Sequence, residues 1–186
     1  MPPKVKYSRE LICDVAYRMV EEHGKESISA RSIASALGCS TAPIFTAFSS
    51  VEDIKNAVKE RAYALYCTYI EKALESELPF KASGLAYIRY AKEHPKLFKL
   101  LFMVDGEAPV QGYFPGGDIK NEKTIRSAIK ETYGKSDDAA KKLYNHLSIY
   151  THGIAVLFAE GYATFSDEDI STMLSEAFFA FKGERE

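Results

Sequence analysis

Two short segments between residues 29 and 48 constrain this chain more than any other feature of its sequence. Their apolar positions are Ile33, Ala34 and Leu37 in the first segment, and Ile44, Phe45 and Phe48 in the second. Each set has the spacing of three or four residues that is typical of one helix face. Gly38, Cys39 and Ser40 separate the two sets. Two short helices joined by a tight glycine-containing turn predict a helix-turn-helix motif.

The second segment has the features of a helix that enters the major groove of DNA. Ser40 is a good N-cap, which predicts that this helix begins there. Pro43 then falls in the first turn, where a missing N–H costs little because those donors have no intrahelical partner. The residues predicted to contact bases or sugars are Thr41, Ala42, Pro43 and Thr46, through threonine hydroxyls and through carbon contacts to the thymine methyl. The alternative is a plain exposed helix.

Residues 11–55 resemble the DNA-binding domain of the TetR family of bacterial repressors. That family has a long apolar first helix, a glycine, a helix of the type R-x-I-A-x-x-L-G, a recognition segment and then S-K-E-x-L. The matching residues here are Arg31, Ile33, Ala34, Leu37, Gly38, Cys39, Ser40, Ile44, Phe45, Phe48, Ser50, Glu52 and Ile54. The resemblance covers about the first third of the chain, and the remainder is similar to the family only in its helical layout.

The resemblance also implies phosphate contacts, and two positions differ from the family pattern. Phe45 stands where the family usually has a tyrosine that reaches a phosphate, so core packing is the favoured interpretation of Phe45. Val51 replaces the usual lysine. The N-terminus of the following helix, at Ser50, could still hold a phosphate. The further phosphate candidates are Lys55, Ser29 and Arg31. Ser40 and Phe45 complete the set of residues predicted to lie at the DNA interface.

The charge balance does not by itself predict DNA binding. The net charge is −2, and residues 1–60 contain eight basic and eight acidic side chains. A nonspecific nucleic-acid-binding protein is usually strongly basic. Lys4, Lys6 and Arg9 form a local basic cluster that either contacts phosphates or belongs to a solvated tail. Weak phosphate contacts predict weak nonspecific binding and a shallow salt dependence.

Helical periodicity continues to the end of the chain and predicts an all-α fold of about nine helices. Ser50 and Asp53 form a capping box that begins a long fourth helix. A loop is predicted at residues 105–118, where glycine and proline are frequent. The predicted domains are a helix-turn-helix DNA-binding domain at residues 1–50 and a helical regulatory and dimerisation domain at residues 51–186.

The last two predicted helices, Asp137–Tyr162 and Asp167–Phe181, carry long apolar stripes. Such a stripe is most often core, but the resemblance implies that these two helices form a homodimer interface. A second argument is independent of the family. One helix-turn-helix reads only a few base pairs, whereas a two-fold dimer reads the two half-sites of a palindromic operator, about 34–36 Å or a multiple of that apart.

Aromatic residues are frequent in the second half of the chain, and the resemblance implies a small-molecule effector site there. The site is expected between the fifth and eighth helices. The predicted ligand-binding residues are Tyr87, Tyr90, Phe102, His146 and Tyr150. For each of them the alternative is core packing, because aromatic residues at helical spacing are usually buried.

No sequence pattern favours catalysis, a cofactor or a metal. The histidines show no HExxH pattern, no serine lies in a G-x-S-x-G context and no glycine-rich phosphate loop is present. Cys13, Cys39 and Cys67 are scattered and include no CxxC. No apolar run reaches the ~18 residues of a membrane span. The polar N-terminus lacks a signal-peptide core, which predicts a cytoplasmic protein.

The sequence therefore predicts a ligand-responsive transcriptional regulator that acts as a repressor and that a small-molecule effector releases from its operator. Phe45, Val51 and the neutral first 60 residues favour one alternative. In that alternative the chain is a helical module that binds a ligand or a protein, and its DNA-binding head is weakened or lost.

Overall fold

The computed structural model describes residues 6–103 and 119–182, and every regular element within them is helical. The α-helices are α1 (Arg9–His23), α2 (Ala30–Leu37), α3 (Ala42–Ala47), α4 (Val51–Leu74), α5 (Pro79–Glu93), α6 (Pro95–Phe102), α7 (Ile119–Tyr133), α8 (Asp137–Ala159) and α9 (Asp167–Lys182). The predicted all-α fold is confirmed. The predicted loop at residues 105–118 and the predicted phosphate contact of Lys4 lie outside the described residues.

The chain divides into two compact units, Met1–Leu65 and Tyr66–Glu186. The division falls within α4, which continues without a break from Val51 to Leu74. The functional boundary predicted between residues 50 and 51 coincides with the start of this helix and stays a prediction. In the described part of the chain, no helix is both long enough and apolar enough to cross a membrane.

In the first unit, α1 supplies an apolar face to the helices that follow it. Its N-cap is Ser8, whose hydroxyl accepts a hydrogen bond from the Leu11 N–H at 3.2 Å. Ile12, Ala16 and Val20 repeat every four residues and are fully buried. Because positions four residues apart lie on the same side of a helix, these three side chains form one continuous buried stripe.

In the second unit, α8 packs against α5, α6, α7 and α9, and an aromatic cluster fills the space between α4, α5 and α6. The Tyr66 and Phe102 rings lie 5.0 Å apart, and the Tyr87 and Phe98 rings lie 5.3 Å apart. Tyr66 also meets Tyr90 at 5.5 Å. These edge-to-face and tilted arrangements are favourable for aromatic rings, so the cluster stabilises the packing of α6 on α5.

Candidate DNA-binding face and ligand cavity

The turn between α2 and α3 depends on the backbone conformation of Gly38. Gly38 is left-handed, with φ 65° and ψ 39°, and a β-carbon there would meet nothing within 4 Å. The requirement for glycine is therefore conformational and not one of space. The Cys39 N–H bonds back to the Ala34 carbonyl at 3.0 Å. This glycine-terminated helix end is followed directly by the second helix, so the helix-turn-helix prediction has its structural counterpart here.

Helix α3, the predicted recognition helix, begins later than the sequence indicated. Ser40 was the predicted N-cap, but the N-cap is Thr41 and the helix runs over Ala42–Ala47. The Thr41 carbonyl accepts hydrogen bonds from the N–H groups of Ile44 at 3.1 Å and Phe45 at 3.3 Å. Since the turn that ends α2 extends through Cys39, the chain needs one more residue before it can become helical again.

The solvent-exposed face of α3 carries several of the predicted base-contacting residues. Ala42 and Thr46 are exposed, and Thr41 and Pro43 are half-buried. The Thr46 hydroxyl donates to the Ala42 carbonyl at 3.0 Å, so its lone pairs and methyl group remain for outward contacts. The prediction that Phe45 packs in the core is wrong. Its side chain is 51% exposed, whereas the preceding residue Ile44 is fully buried.

Arg9 fixes the position of α3 within the first unit. Its guanidinium donates to the Ala47 carbonyl at 3.0 Å and to the Asp53 carboxylate at 3.0 Å, and it stacks 3.9 Å from the Phe48 ring centroid. The pKa of Asp53 is lowered, mainly by the hydrogen bonds from Arg9 and to a smaller extent by those from Ser49. Arg9 therefore links α1 to the end of α3 and the start of α4. It does not act as a free cation of the predicted basic cluster.

The other predicted phosphate contacts lie at the starts of two helices. Ser29 caps α2 by accepting from the Ser32 N–H at 3.0 Å, and Ser50 accepts from the Asp53 N–H at 3.0 Å at the start of α4. Arg31 and Ser40 are exposed. Lys55 is half-buried and pairs with Glu52 at 3.6 Å. The two serines thus organise helix N-termini whose remaining N–H groups can bind an anion.

The second unit contains a cavity of about 280 Å³. Its walls come from α4, α5, α7, α8 and α9. The lining residues are Tyr66, Ile70, Leu78, Phe80, Lys81, Ser83, Gly84, Tyr87, Ile125, Tyr133, Tyr144, Leu147, Ser148, Thr151, Leu174, Ser175, Phe178, Phe179 and Lys182. The site was predicted between the fifth and eighth helices, but α6 contributes no lining residue and α9 contributes several.

Of the five predicted ligand-binding residues, Tyr87 lines this cavity. Tyr90 and Phe102 are buried in the aromatic cluster. His146 lies 5.2 Å from the Phe181 ring, and Tyr150 is half-buried. The four residues other than Tyr87 are not among the lining residues. Ser148 and Thr151 line the cavity but were not predicted from the sequence. The signal that could have identified them is that these small polar residues interrupt an apolar helix face.

The cavity combines an apolar interior with a few polar groups, which is the usual composition of a ligand site. The Tyr87 hydroxyl lies 2.9 Å from Nδ1 of His152, and burial lowers the pKa of His152, which favours the neutral imidazole. Burial also raises the pKa of Tyr133, so its phenol stays protonated. Leu78 and Phe179 are 49% and 70% exposed, which places the opening of the cavity on their side.

An exposed apolar face lies on α8. Ile149 and Leu157 are 54% and 41% exposed, and Gly153 lies midway between them. The four-residue spacing puts all three on one side of the helix. On α9, Phe179 and Phe181 are also exposed. Exposed apolar side chains grouped on one helix face, as on α8, are typical of protein interaction surfaces.

No protein-family model and no curated protein matches the sequence. One solved structure, described as a TetR-like transcriptional regulator from Rhodococcus sp. RHA1, is similar with a TM-score of 0.67. The similarity covers 92% of this chain and 93% of that chain. This chain has the TetR-like fold. The sequences are 12% identical, so the similarity describes the fold, and it confirms the fold that the resemblance predicted.

Proposed function

We propose that this chain is a DNA-binding transcriptional regulator whose affinity for DNA is controlled by a small molecule in the cavity of the second unit. The observation that carries the proposal is the exposed N-terminal face of α3 in a helix-turn-helix. The TetR-like fold supports the same function, since the similar structure is described as a transcriptional regulator.

The DNA contact is proposed to use Thr41, Ala42, Pro43 and Thr46. These side chains are small, so the helix backbone can approach the floor of the major groove closely. Threonine can bond either kind of base, and its methyl group can contact thymine. Ser29, Arg31, Ser50 and Lys55 are proposed to position the unit on the phosphates. Phe45 is exposed and apolar, and a thymine methyl or a deoxyribose is its proposed contact.

The Thr41→Ala/Thr46→Ala double variant is expected to bind its operator about ten- to a hundredfold more weakly than the wild type. A bidentate base contact is worth roughly 1–3 kcal/mol, and a single threonine contact is taken at the low end, about 1 kcal/mol. Two such contacts correspond to a loss of this size. Fluorescence anisotropy with a fragment from upstream of the protein's own gene measures this change.

Ser35→Ala is the matched control, because it removes one exposed hydroxyl from α2 of the same unit. Its affinity should equal that of the wild type. Equal affinity of the double variant and the wild type for the operator would contradict base contact by α3.

A homodimer is proposed to form through α8 and α9. The support is the exposed apolar face at Ile149, Gly153 and Leu157, together with the exposed phenylalanines of α9. In a two-fold dimer, this face packs against the same face of the second protomer. The dimer then presents two recognition helices, one for each half-site of the operator.

The effector response is proposed to pass through α4. Tyr66 and Ile70 lie on this helix and line the cavity, and the same helix begins at Val51 in the first unit. A ligand that pushes on these two side chains would favour a different tilt of α4 and so a different separation of the recognition helices. Ligand and DNA then weaken one another's binding by the same factor.

Gly84→Ala is expected to weaken ligand binding in the cavity about three- to tenfold while leaving the fold intact. A β-carbon at Gly84 would lie 3.4 Å from Leu174 Cδ1, which is ordinary van der Waals contact. The methyl group fills cavity space, and one methylene equivalent is worth about 0.8 kcal/mol. Helix propensity favours alanine over glycine by up to about 1 kcal/mol, so the melting temperature should not fall.

The probe for this experiment is phenylbutyramide, an uncharged molecule with one ring and a short chain, and isothermal titration calorimetry measures its affinity. Ser127→Ala is the matched control, because Ser127 is exposed on α7 and does not line the cavity. It changes helix propensity in the same direction and leaves the cavity unaltered. Equal loss of probe affinity in both variants would contradict the assignment of the site to this cavity.

The alternative function is a helical interaction module that does not bind DNA. The exposure of Phe45 and the neutral balance of residues 1–60 favour it. The anisotropy experiment separates the two functions, since a module of this kind would bind operator and shuffled fragments equally weakly.

A further inference from the structure

The charged side chains among the described residues that line the cavity are two lysines, Lys81 and Lys182. The Lys81 ammonium donates a hydrogen bond to Ser175 Oγ at 2.9 Å. The Lys182 ammonium lies 5.6 Å from the ring centroids of Tyr133 and Phe178. Neither lysine forms an ion pair with a carboxylate of the described residues. A partly buried cation without a counter-ion favours an anionic ligand.

Two residues of α8 with hydroxyl groups also line the cavity. Ser148 and Thr151 are 6% and 7% exposed, and they lie one turn apart on the same helix face. Neither hydroxyl has a hydrogen-bond partner in the part of the chain that the structure describes, and neither is among the fully buried polar atoms there that lack a partner. Both oxygens therefore border the cavity space, where they can donate hydrogen bonds to a ligand.

Lys81 and Thr151 both lie close to Gly84 in the cavity wall. The position of a β-carbon at Gly84 is 3.7 Å from Thr151 Oγ1 and 3.4 Å from Leu174 Cδ1. Lys81 precedes Gly84 by about one turn of α5. Its ammonium bonds to Ser175, which follows Leu174 on α9. One cation and two hydroxyl donors thus line this cavity, and we call Lys81, Ser148 and Thr151 its polar corner.

The remaining walls suit an apolar body. The side chains that supply most of this surface are Tyr66, Ile70, Phe80, Tyr87, Ile125 and Leu147. A volume of about 280 Å³ is near the lower end of the range for ligand pockets. The cavity therefore suits one ring with a short chain, or a single alkyl chain, better than a large polycyclic molecule.

We infer that the cavity binds an amphipathic monocarboxylate, whose carboxylate lies in the polar corner and whose ring or alkyl chain lies against the aromatic walls. Lys182 supplies additional positive potential. The inference rests on the proposed function, because it specifies the chemical class of the effector that the same site accepts.

The test is isothermal titration calorimetry of the whole protein with phenylbutyrate and with phenylbutyramide. The two probes share their apolar body and differ in charge. The wild type is expected to bind the carboxylate at least about tenfold more tightly than the amide, which corresponds to about 1.4 kcal/mol. Lys81→Met should abolish this preference by weakening carboxylate binding alone. Lys81→Arg should retain it.

Lys123→Met is the control for loss of one positive charge, because Lys123 is exposed on α7 and does not line the cavity. It should leave the preference unchanged. The inference is overturned if the amide binds as tightly as the carboxylate, or if neither phenylbutyrate nor decanoate binds at millimolar concentration. A preference that survives in a folded Lys81→Met variant, with an unchanged circular dichroism spectrum, overturns it as well.

The ligand class and the proposed function can fail separately. Carboxylate binding that depends on Lys81 but leaves affinity for operator DNA unchanged would support the ligand class and contradict the effector response. Release of DNA by phenylbutyramide and not by phenylbutyrate would support the effector response and overturn the ligand class.

Discussion

Ala42→Glu is expected to abolish selective DNA binding, with a loss of affinity of more than about a hundredfold, while the protein stays folded. Ala42 is exposed and is the first residue of α3. A glutamate near a helix N-terminus is favourable to the helix because it complements the positive end of the helix dipole. In the major groove the same carboxylate would be repelled by the phosphates and would lose its water. Anisotropy with the operator fragment measures the loss.

Ala64→Glu is the matched control for this substitution, because Ala64 is an exposed alanine on α4 of the same unit. It lies roughly 20 Å along the helix from Val51 at 1.5 Å per residue. This variant should bind the operator about as tightly as the wild type. A folded Ala42→Glu variant that still binds the operator selectively would contradict the proposed DNA-binding face.

The double variant Ile149→Glu/Leu157→Glu is expected to be a monomer at micromolar concentration. Burying each of these side chains is worth about 1.5–3 kcal/mol. Each side chain occurs twice in a two-fold interface. The dissociation constant of the dimer should therefore rise more than about a hundredfold. Affinity for a two-half-site operator should fall with it. Analytical ultracentrifugation measures the first effect, and anisotropy measures the second.

Ser127→Glu is the control, since Ser127 is exposed on α7, outside the proposed interface. It introduces one glutamate per chain, where the double variant introduces two. We expect it to leave the dimer intact. If the double variant sediments as the wild type does, the proposed interface on α8 is wrong.

The helix-turn-helix was predictable because its signals are local. The apolar spacing on each side of Gly38 and the glycine itself specify two helices and the turn between them. The exact start of α3 was not predictable, because the hydrogen bond from Cys39 to Ala34 decides how far the turn extends. Phe45 was misplaced for a related reason. In a helix of six residues, periodicity is too short to decide which of two adjacent apolar residues faces the core.

The cavity was less predictable, because five helices from distant parts of the chain form it. Tyr90 lies on the same helix as Tyr87, but its ring packs against Tyr66 and Tyr69 of α4. The Phe102 ring of α6 packs against Tyr66 and Tyr87, and these contacts depend on how the helices pack together. Ser148 and Thr151 gave little signal, since a small polar residue in a helix is common. Their importance follows from their place in the cavity wall, which is a property of the tertiary structure.

The central claim is most directly tested by footprinting the wild-type protein on DNA from upstream of its own gene, beside a shuffled fragment of equal composition. The proposed function predicts selective protection of two half-sites whose centres are about 34–36 Å, or a multiple of that, apart. Equal protection of both fragments, or protection of neither at any salt concentration tested, would contradict it.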